Sequence, residues 1–264
     1  MAYQKGIIEY RGSFKSIRNY KTKKDPRIFA GEKGGANKEL IMNNPAFALT
    51  RENMFEFKGC GVAVKAIRRG LLHLIPEHTD THFTARLVKI VKKINVLDPI
   101  GHHGSRAILF SIGRMFLKTL TLHENRKIDH QLRRYISTSH PETRAEATIR
   151  VNGLIPNPML VPVNAQYYRV VNHLSIISDY AYSESNRRYE ALNPLDGMNV
   201  VAYSEYTPVN TPMTISLKAA FPEGTVPDDS ITVLQCVGIV YYIRNGVNGY
   251  FPYTSGTMLV YDAF

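Results

Sequence analysis

The 264-residue chain contains no tryptophan and only two cysteines, Cys60 and Cys236. Two cysteines so far apart in sequence do not make a disulfide framework, so we expect both to be reduced, buried and structural. No stretch approaches the roughly 18 apolar residues of a membrane-spanning helix, and the N-terminus lacks the apolar segment of a secretory signal. We therefore expect a cytoplasmic protein without membrane contact, released only by lysis or by a dedicated export machine.

Recognisable catalytic motifs are also missing from the sequence. Gly31, Gly34 and Gly35 lack the spacing and the Lys-Ser/Thr pair of a phosphate-binding loop, and no Gly-x-Ser-x-Gly elbow occurs. His78 and His82 are four residues apart, but no carboxylate or cysteine completes a metal-binding set. The sequence therefore predicts a protein that is not an enzyme and that has no cofactor, no metal and no small-molecule substrate.

Negative charge is scarce in the first part of the chain. Residues 1–150 contain 28 lysines and arginines but only 13 aspartates and glutamates, whereas residues 151–264 contain 5 and 9. Such asymmetry bears on partners rather than on fold. Two alternatives follow: a basic surface that binds nucleic acid or another polyanion, or head-to-tail attraction between copies of the same chain.

The basic residues that we expect at either kind of contact fall in four groups. Lys89, Lys92 and Lys93 are three and four residues apart, so they share one face of a helix. The complete basic set is Lys21, Lys23, Lys24, Arg27, Arg68, Arg69, Arg86, Lys89, Lys92, Lys93, Arg133 and Arg134. The acidic counterpart that we expect in a neighbouring copy is Glu184, Glu190, Glu223, Asp228 and Asp229.

The first 104 residues are predicted to form a basic N-terminal hairpin or arm and a helical region. Alternating apolar and polar residues over 6–20, with a turn signal at Gly12-Ser13, indicate a β-hairpin. Asn44 is a good N-cap for a helix that begins at the following proline. Gly59 and Gly61 are predicted to interrupt this helix.

Two more helices are predicted over residues 62–75 and from Thr79 or Thr81 to about residue 96. From residue 105 to 264 the pattern changes to short segments rich in Val, Ile, Thr and Tyr, separated by Gly, Pro and Asn. This pattern is typical of an antiparallel β-sandwich. Strands are predicted over 115–122, 147–151, 166–177, 199–203, 213–220, 231–244, 249–253 and 257–261. The fold class is therefore predicted to be α+β.

Several short motifs are spread over the whole chain. They are QKGII at residues 4–8, followed by Gly12 and Tyr20, and then EKGG at 32–35, NPAF at 44–47, TREN at 50–53, TARL at 84–87, AQYYRVV at 165–171, NVVAY at 199–203, GIVYY at 238–242 and VNG at 247–249. Together they resemble an uncharacterised, often multi-copy protein family of Bacteroidota genomes. The resemblance implies a helical front and a β back in one unit, and a bacterial accessory protein with no assigned activity.

The leading hypothesis from the sequence is a structural protein that assembles with copies of itself. A chain with polarised charge favours head-to-tail contacts, which propagate into a tube, filament or shell-like array unless they close into a ring. The sixteen tyrosines suit such interfaces because they combine a large apolar ring with a polar tip. The alternative is a nucleic-acid-binding accessory protein of phage-like origin that uses the basic N-terminal half.

Overall fold

The structure of the protein is a computed structural model that describes residues 2–4, 9–72, 74, 78–118, 120–123, 129–159, 161–246, 249–252 and 257–264. The fold is α+β, as predicted, and every strand pairing among these residues is antiparallel. Contacts divide the chain into two compact units, Met1–Arg51 and Glu52–Phe264. This division differs from the predicted boundary at residue 104, because the helices after Arg51 share a hydrophobic core with the large sheet.

The first unit contains a small four-stranded sheet. Its strands are β1 (Ala2–Tyr3), β2 (Gly12–Phe14), β3 (Ile17–Thr22) and β4 (Asp25–Glu32), in the order β1-β4-β3-β2. The predicted turn at Gly12-Ser13 is wrong: both residues pair with β3, and the chain turns at Lys15, whose φ of 51° is left-handed. Among the described residues of this unit, Ile28 is the one buried apolar side chain.

Short helical segments follow the small sheet. Helix α1 (Lys38–Asn43) precedes a single 3₁₀ turn at Pro45–Phe47. The predicted cap is confirmed, because Asn44 Oδ1 accepts a hydrogen bond from the N–H of Ala46 at 2.9 Å. The 3₁₀ turn leads directly into helix α2 (Ala48–Gly70).

Helix α2 continues through both glycines that were predicted to interrupt it. Gly59 packs so closely on Tyr189 that a Cβ atom there would lie 2.4 Å from the tyrosine ring. The residue therefore permits close helix–sheet contact rather than ending the helix. Nothing lies within 4 Å of a Cβ atom built on Gly61.

The later helices follow the apolar periodicity of the sequence. They are α3 (Phe83–Asn95), α4 (Phe110–Leu117) and α5 (Asp129–Tyr135). Helix α3 begins after His82 rather than at a threonine cap. The strand predicted over 115–122 is wrong, because Phe110, Gly113 and Leu117 form one buried helical face. No helix in the described part of the chain is long and apolar enough to span a membrane.

The strands of the second unit form two packed sheets and a separate hairpin. The large sheet has the order β10-β7-β13-β14, with β11 beside β7 and β15 beside β13; the smaller sheet is β12-β6-β5, and β8 pairs with β9. The sequence predicted the bounds of β10, β12 and β13 correctly. The strands are β5 (Ile136–Ser139), β6 (Glu146–Leu154), β7 (Tyr167–Ser178), β8 (Tyr180–Ser183), β9 (Arg188–Ala191), β10 (Asn199–Tyr203), β11 (Thr207–Pro208), β12 (Met213–Ala220), β13 (Ile231–Arg244), β14 (Tyr250–Pro252) and β15 (Thr257–Ala263).

The large sheet is buried on both faces. Side chains alternate along a strand, so Val170 of β7 packs in the core against the smaller sheet while its neighbour Val171 packs in the core that contains α2, α3 and α4. On β13, Ile239 and Val240 divide in the same way. The second unit therefore has three layers, in which helices cover one side of an antiparallel β-sandwich.

Candidate functional site

An open groove lies between helices α2 and α3 of the second unit. Phe57 is 60% exposed in it, and Met54, three residues earlier on the same helix face, is exposed as well. An exposed apolar patch with a charged rim is a common form of protein interaction site. The groove has a volume of ≈ 470 Å³ and is lined by Phe57, Ala85, Val88, Lys89, Lys92, Lys93 and Val96.

Lys92 pairs with a carboxylate that has no solvent-exposed surface. Its Nζ donates to Oε2 of Glu56 on α2 and, at 2.7 Å, to Oδ1 of Asn95. Arg106 donates to the same carboxylate, with Nε 2.7 Å from Oε1 and Nη2 2.8 Å from Oε2. The N–H of Gly104 adds a further hydrogen bond of 2.9 Å. The cluster thus joins α2, α3 and the loop that follows α3.

The Glu56 cluster sets the protonation state of its central carboxyl group. Burial alone raises the pKa of Glu56, but hydrogen bonds from Arg106, Lys92 and Gly104 outweigh burial and lower the pKa from 4.5 to about 2. Glu56 is therefore ionised at neutral pH. Its two cationic partners stabilise the helical layer, and Lys92 is the one of them that also reaches the groove.

Arg86 is also engaged within the chain. Its Nη1 lies 2.9 Å from Oδ1 of Asp80, and its Nη2 lies 3.0 Å from the carbonyl oxygens of Thr121 and Leu122. Of the basic face predicted on α3, Lys89 and Lys93 are exposed at the groove. The aliphatic stems of such lysines extend the apolar lining while their ammonium groups stay in water.

The other predicted basic residues lie in separate parts of the chain. Arg68 and Arg69 are exposed in the last turn of α2. Arg133 and Arg134 are exposed on α5, where the guanidinium of Arg133 lies 5.0 Å from the ring centroid of Tyr261. The remaining four, all exposed residues of the first unit, are Lys21, Lys23, Lys24 and Arg27.

Three of the predicted acidic residues lie in the loop between β12 and β13. This acidic loop, residues 222–229, carries Glu223, Asp228 and Asp229, all exposed. Between them lies Val226, an apolar side chain that is 74% exposed. The loop therefore offers an apolar tip with a negative rim, the converse of the groove.

Hydrogen bonds anchor the acidic loop at its end next to β13. Arg144 donates to the carbonyl oxygens of Pro227 at 3.1 Å, Asp228 at 2.7 Å and Ile231 at 3.0 Å. The hydroxyl and N–H of Ser230 donate to the Asp228 carboxylate and, with Asn193, hold its pKa below the usual range. A loop ordered in this way loses little conformational entropy on binding.

The two other acidic residues lie on the β8–β9 hairpin. Glu184 is exposed in its turn, and Glu190 of β9 pairs with Arg188 at 2.6 Å. The structure thus separates the predicted acidic set into a loop and a hairpin, as it separates the basic set into several regions. Phe57 and Val226 were not singled out from the sequence; the one available signal was an apolar residue between the acidic positions of the loop.

The two cysteine side chains lie in the hydrophobic core that the helices share with the large sheet. Both cysteines are free and buried, and burial raises the pKa of the Cys60 thiol to about 11 and of the Cys236 thiol to about 12. Within the described ranges, no three His, Cys, Asp or Glu side chains are grouped to hold a metal ion. Comparison with protein-family models, with curated proteins and with solved structures gives no match.

Proposed function

We propose that this protein is a structural protein whose copies assemble head to tail into a tube, filament or shell-like array. One observation carries the proposal: the second unit has both an apolar groove rimmed by lysines and an ordered acidic loop with an exposed apolar tip. In the proposed contact, Val226 of one copy inserts between α2 and α3 of the next. Glu223 and Asp229 then approach Lys89 and Lys93.

Such a contact is heterologous, because the two surfaces that meet are different. Each copy that docks its loop still presents an open groove, so growth continues unless a rotation closes a ring. Complementary charge orients the approaching copies and disfavours contacts between two grooves. Because the contact joins two different surfaces, it supports an extended assembly rather than a two-fold dimer.

Apolar burial supplies most of the expected affinity at this contact. Full burial of one valine contributes about 1.5–3 kcal/mol, and further contact with Met54 beside the groove enlarges the apolar area. The exposed ion pairs contribute less than about 1 kcal/mol each and are weakened by salt. We therefore expect higher salt to lower the rate of assembly strongly and to lower the amount of assembled protein at equilibrium only weakly.

The first test is a charged substitution at the loop tip. Val226→Asp places a carboxylate against the apolar lining, so the sedimentation coefficient should fall to that of the monomer and regular particles should disappear from negative-stain images. The matched control is Val163→Asp, because Val163 is a valine that is 80% exposed elsewhere in the same unit. Monomeric wild-type protein, or equal effects of the two variants, would contradict the proposal.

A mixing experiment tests the head-to-tail geometry. Phe57→Asp blocks the groove but leaves the loop intact, whereas Val226→Asp blocks the loop but leaves the groove intact. Each variant alone should be monomeric, and an equimolar mixture should form a dimer that grows no further, because each partner has one working surface. A mixture that stays monomeric would exclude the contact between groove and loop.

A further inference from the structure

The first unit carries a row of three aromatic rings across its sheet. Tyr20 of β3 lies directly opposite Phe29 of β4, and Phe29 lies directly opposite Tyr3 of β1. Residues in direct cross-strand register share a face of the sheet, so all three side chains are on one side. The ring centroids of Tyr20 and Phe29 are 6.0 Å apart, and Tyr3 is 41% exposed.

Arginines lie on the same face, on either side of this aromatic row. Arg18 is two residues from Tyr20 along β3, and its guanidinium lies 6.0 Å from the centre of that ring. Arg27 is two residues from Phe29 along β4, 5.6 Å from that ring and 5.2 Å from the ring of Tyr3. Asp25 pairs with Arg27 at 2.6 Å and offsets part of its charge.

The surroundings of the row are also basic. Residues 1–51 contain 11 lysines and arginines against 4 aspartates and glutamates. Lys23 and Lys24 form the exposed turn between β3 and β4, beyond Arg27 on the same two strands. A bound polyanion would therefore meet cations on both sides of the aromatic row, Arg18 on one side and Arg27 with the lysine turn on the other.

From this face we infer a second activity, the binding of single-stranded nucleic acid on the Tyr3, Phe29 and Tyr20 rings. Unpaired bases stack on aromatic side chains with little dependence on sequence, while arginines and lysines contact the phosphates. Bases in a duplex are already stacked on each other and do not reach such a surface. Strands are about 4.8 Å apart, so a row over three strands accommodates two or three bases.

The inference does not depend on the proposed assembly, since the assembly contact uses the second unit. It concerns any chain of unpaired bases on a phosphate backbone, so both DNA and RNA probes are needed. Binding is measured by fluorescence anisotropy with labelled dT12 and rU12 and with a 12-base-pair duplex. The full chain carries Val226→Asp, so that self-association does not affect the signal.

The decisive variant is Tyr20→Leu with Phe29→Leu, which removes two π faces but keeps apolar side chains in both strands. We expect it to raise the Kd for dT12 and rU12 about tenfold or more. The matched control is Phe14→Leu, since Phe14 is 63% exposed on the opposite face of the same sheet and should leave the Kd unchanged. The reference protein, with Val226→Asp alone, should also bind single strands more tightly than the duplex.

Arg18→Gln provides a second readout that does not alter the aromatic row. It should lower the slope of log Kd against log salt by about 0.7, the loss of one phosphate contact to a single strand. This variant decides the matter if the double leucine variant loses its far-ultraviolet β signal. Equal affinity for duplex and single strands, equal effects of Phe14→Leu and the double variant, or an unchanged salt slope would overturn the inference. The first of these results would indicate a general polyanion surface.

Discussion

The two units of this protein differ in how their sheets are covered. In the second unit, β7 and β13 pack against helices on one face and against the smaller sheet on the other. In the first unit, four strands pair into one sheet, yet Ile28 is the one buried apolar side chain among the described residues. Hydrogen bonding alone rarely makes a small sheet stable in water. The difference shows that the described part of the first unit has little apolar core.

Charge is used differently in the two units as well. In the second unit, Lys92 and Arg106 pair with the buried carboxylate of Glu56 and so join two helices to a loop. In the first unit, the exposed side chains of Arg18 and Arg27 lie over the half-buried rings of Tyr20 and Phe29. Cationic side chains therefore join helices to a loop in the second unit, whereas in the first unit they lie beside aromatic rings.

The largest loss of stability is expected from a substitution in the second unit, at Glu56. Glu56→Gln leaves Lys92 and Arg106 without their shared anion, and loss of one partner of a buried charge pair costs about 3–5 kcal/mol. The free energy of unfolding from urea titration should fall by that amount. The control is Glu52→Gln, which removes an exposed partner of His103 and should cost less than about 1 kcal/mol.

The pH dependence of the same two proteins sharpens this prediction. The pKa of Glu56 in the folded protein, about 2, lies below the ordinary value of 4.5. Its contribution to stability is therefore complete above about pH 4.5 and is lost as the pH falls toward 2. The glutamine variant should lack this component of acid destabilisation. A variant that shows the same acid profile as wild type would place the effect on other carboxylates.

The contrast between Glu56 and the α3 lysines shows what sequence spacing can predict. Spacing placed Lys89, Lys92 and Lys93 on one helix face, and all three do line the same groove. It could not reveal that Lys92 has a buried partner 36 residues earlier, because that contact depends on how α2 and α3 pack. Strands β10, β12 and β13 were predictable because alternation and turn residues are local signals.

Register explains why the aromatic row was not found from the sequence. Tyr3 lies 17 residues before Tyr20, Phe29 lies nine residues after it, and basic and aromatic residues do not alternate visibly between them. Antiparallel pairing with β4 at the centre brings the three rings into one line. The helix break predicted at Gly59 is wrong for a related reason. The glycine allows close contact with Tyr189, and that contact depends on how distant parts of the chain pack together.

An intermediate effect on stability is expected from alanine at Gly59 and at Gly61 of α2. Gly59→Ala would place Cβ 2.4 Å from the ring of Tyr189, so the sheet and helix must separate, at a cost of about 1–3 kcal/mol. Gly61→Ala has nothing within 4 Å and should stabilise the helix by up to about 1 kcal/mol. Opposite shifts in melting temperature would confirm tight packing in the second unit. A stabilising Gly59→Ala would contradict it.

The smallest effect is expected in the first unit. Ile239 and Ile28 are both buried isoleucines, but Ile239 lies between two packed layers, whereas Ile28 lies on a sheet with little else buried around it. Ile239→Ala should cost about 2–5 kcal/mol, as in a close-packed core, because the cavity cannot collapse. Ile28→Ala should cost less than about 1 kcal/mol, because its exposed neighbours can move into the space. Both values are measured by urea titration of the Val226→Asp protomer, since assembly would add its own contribution to the stability of the second unit. Equal losses of unfolding free energy in the two variants would show that the first unit has a core of its own. Its aromatic face would then be no different from a face of an ordinary packed sheet.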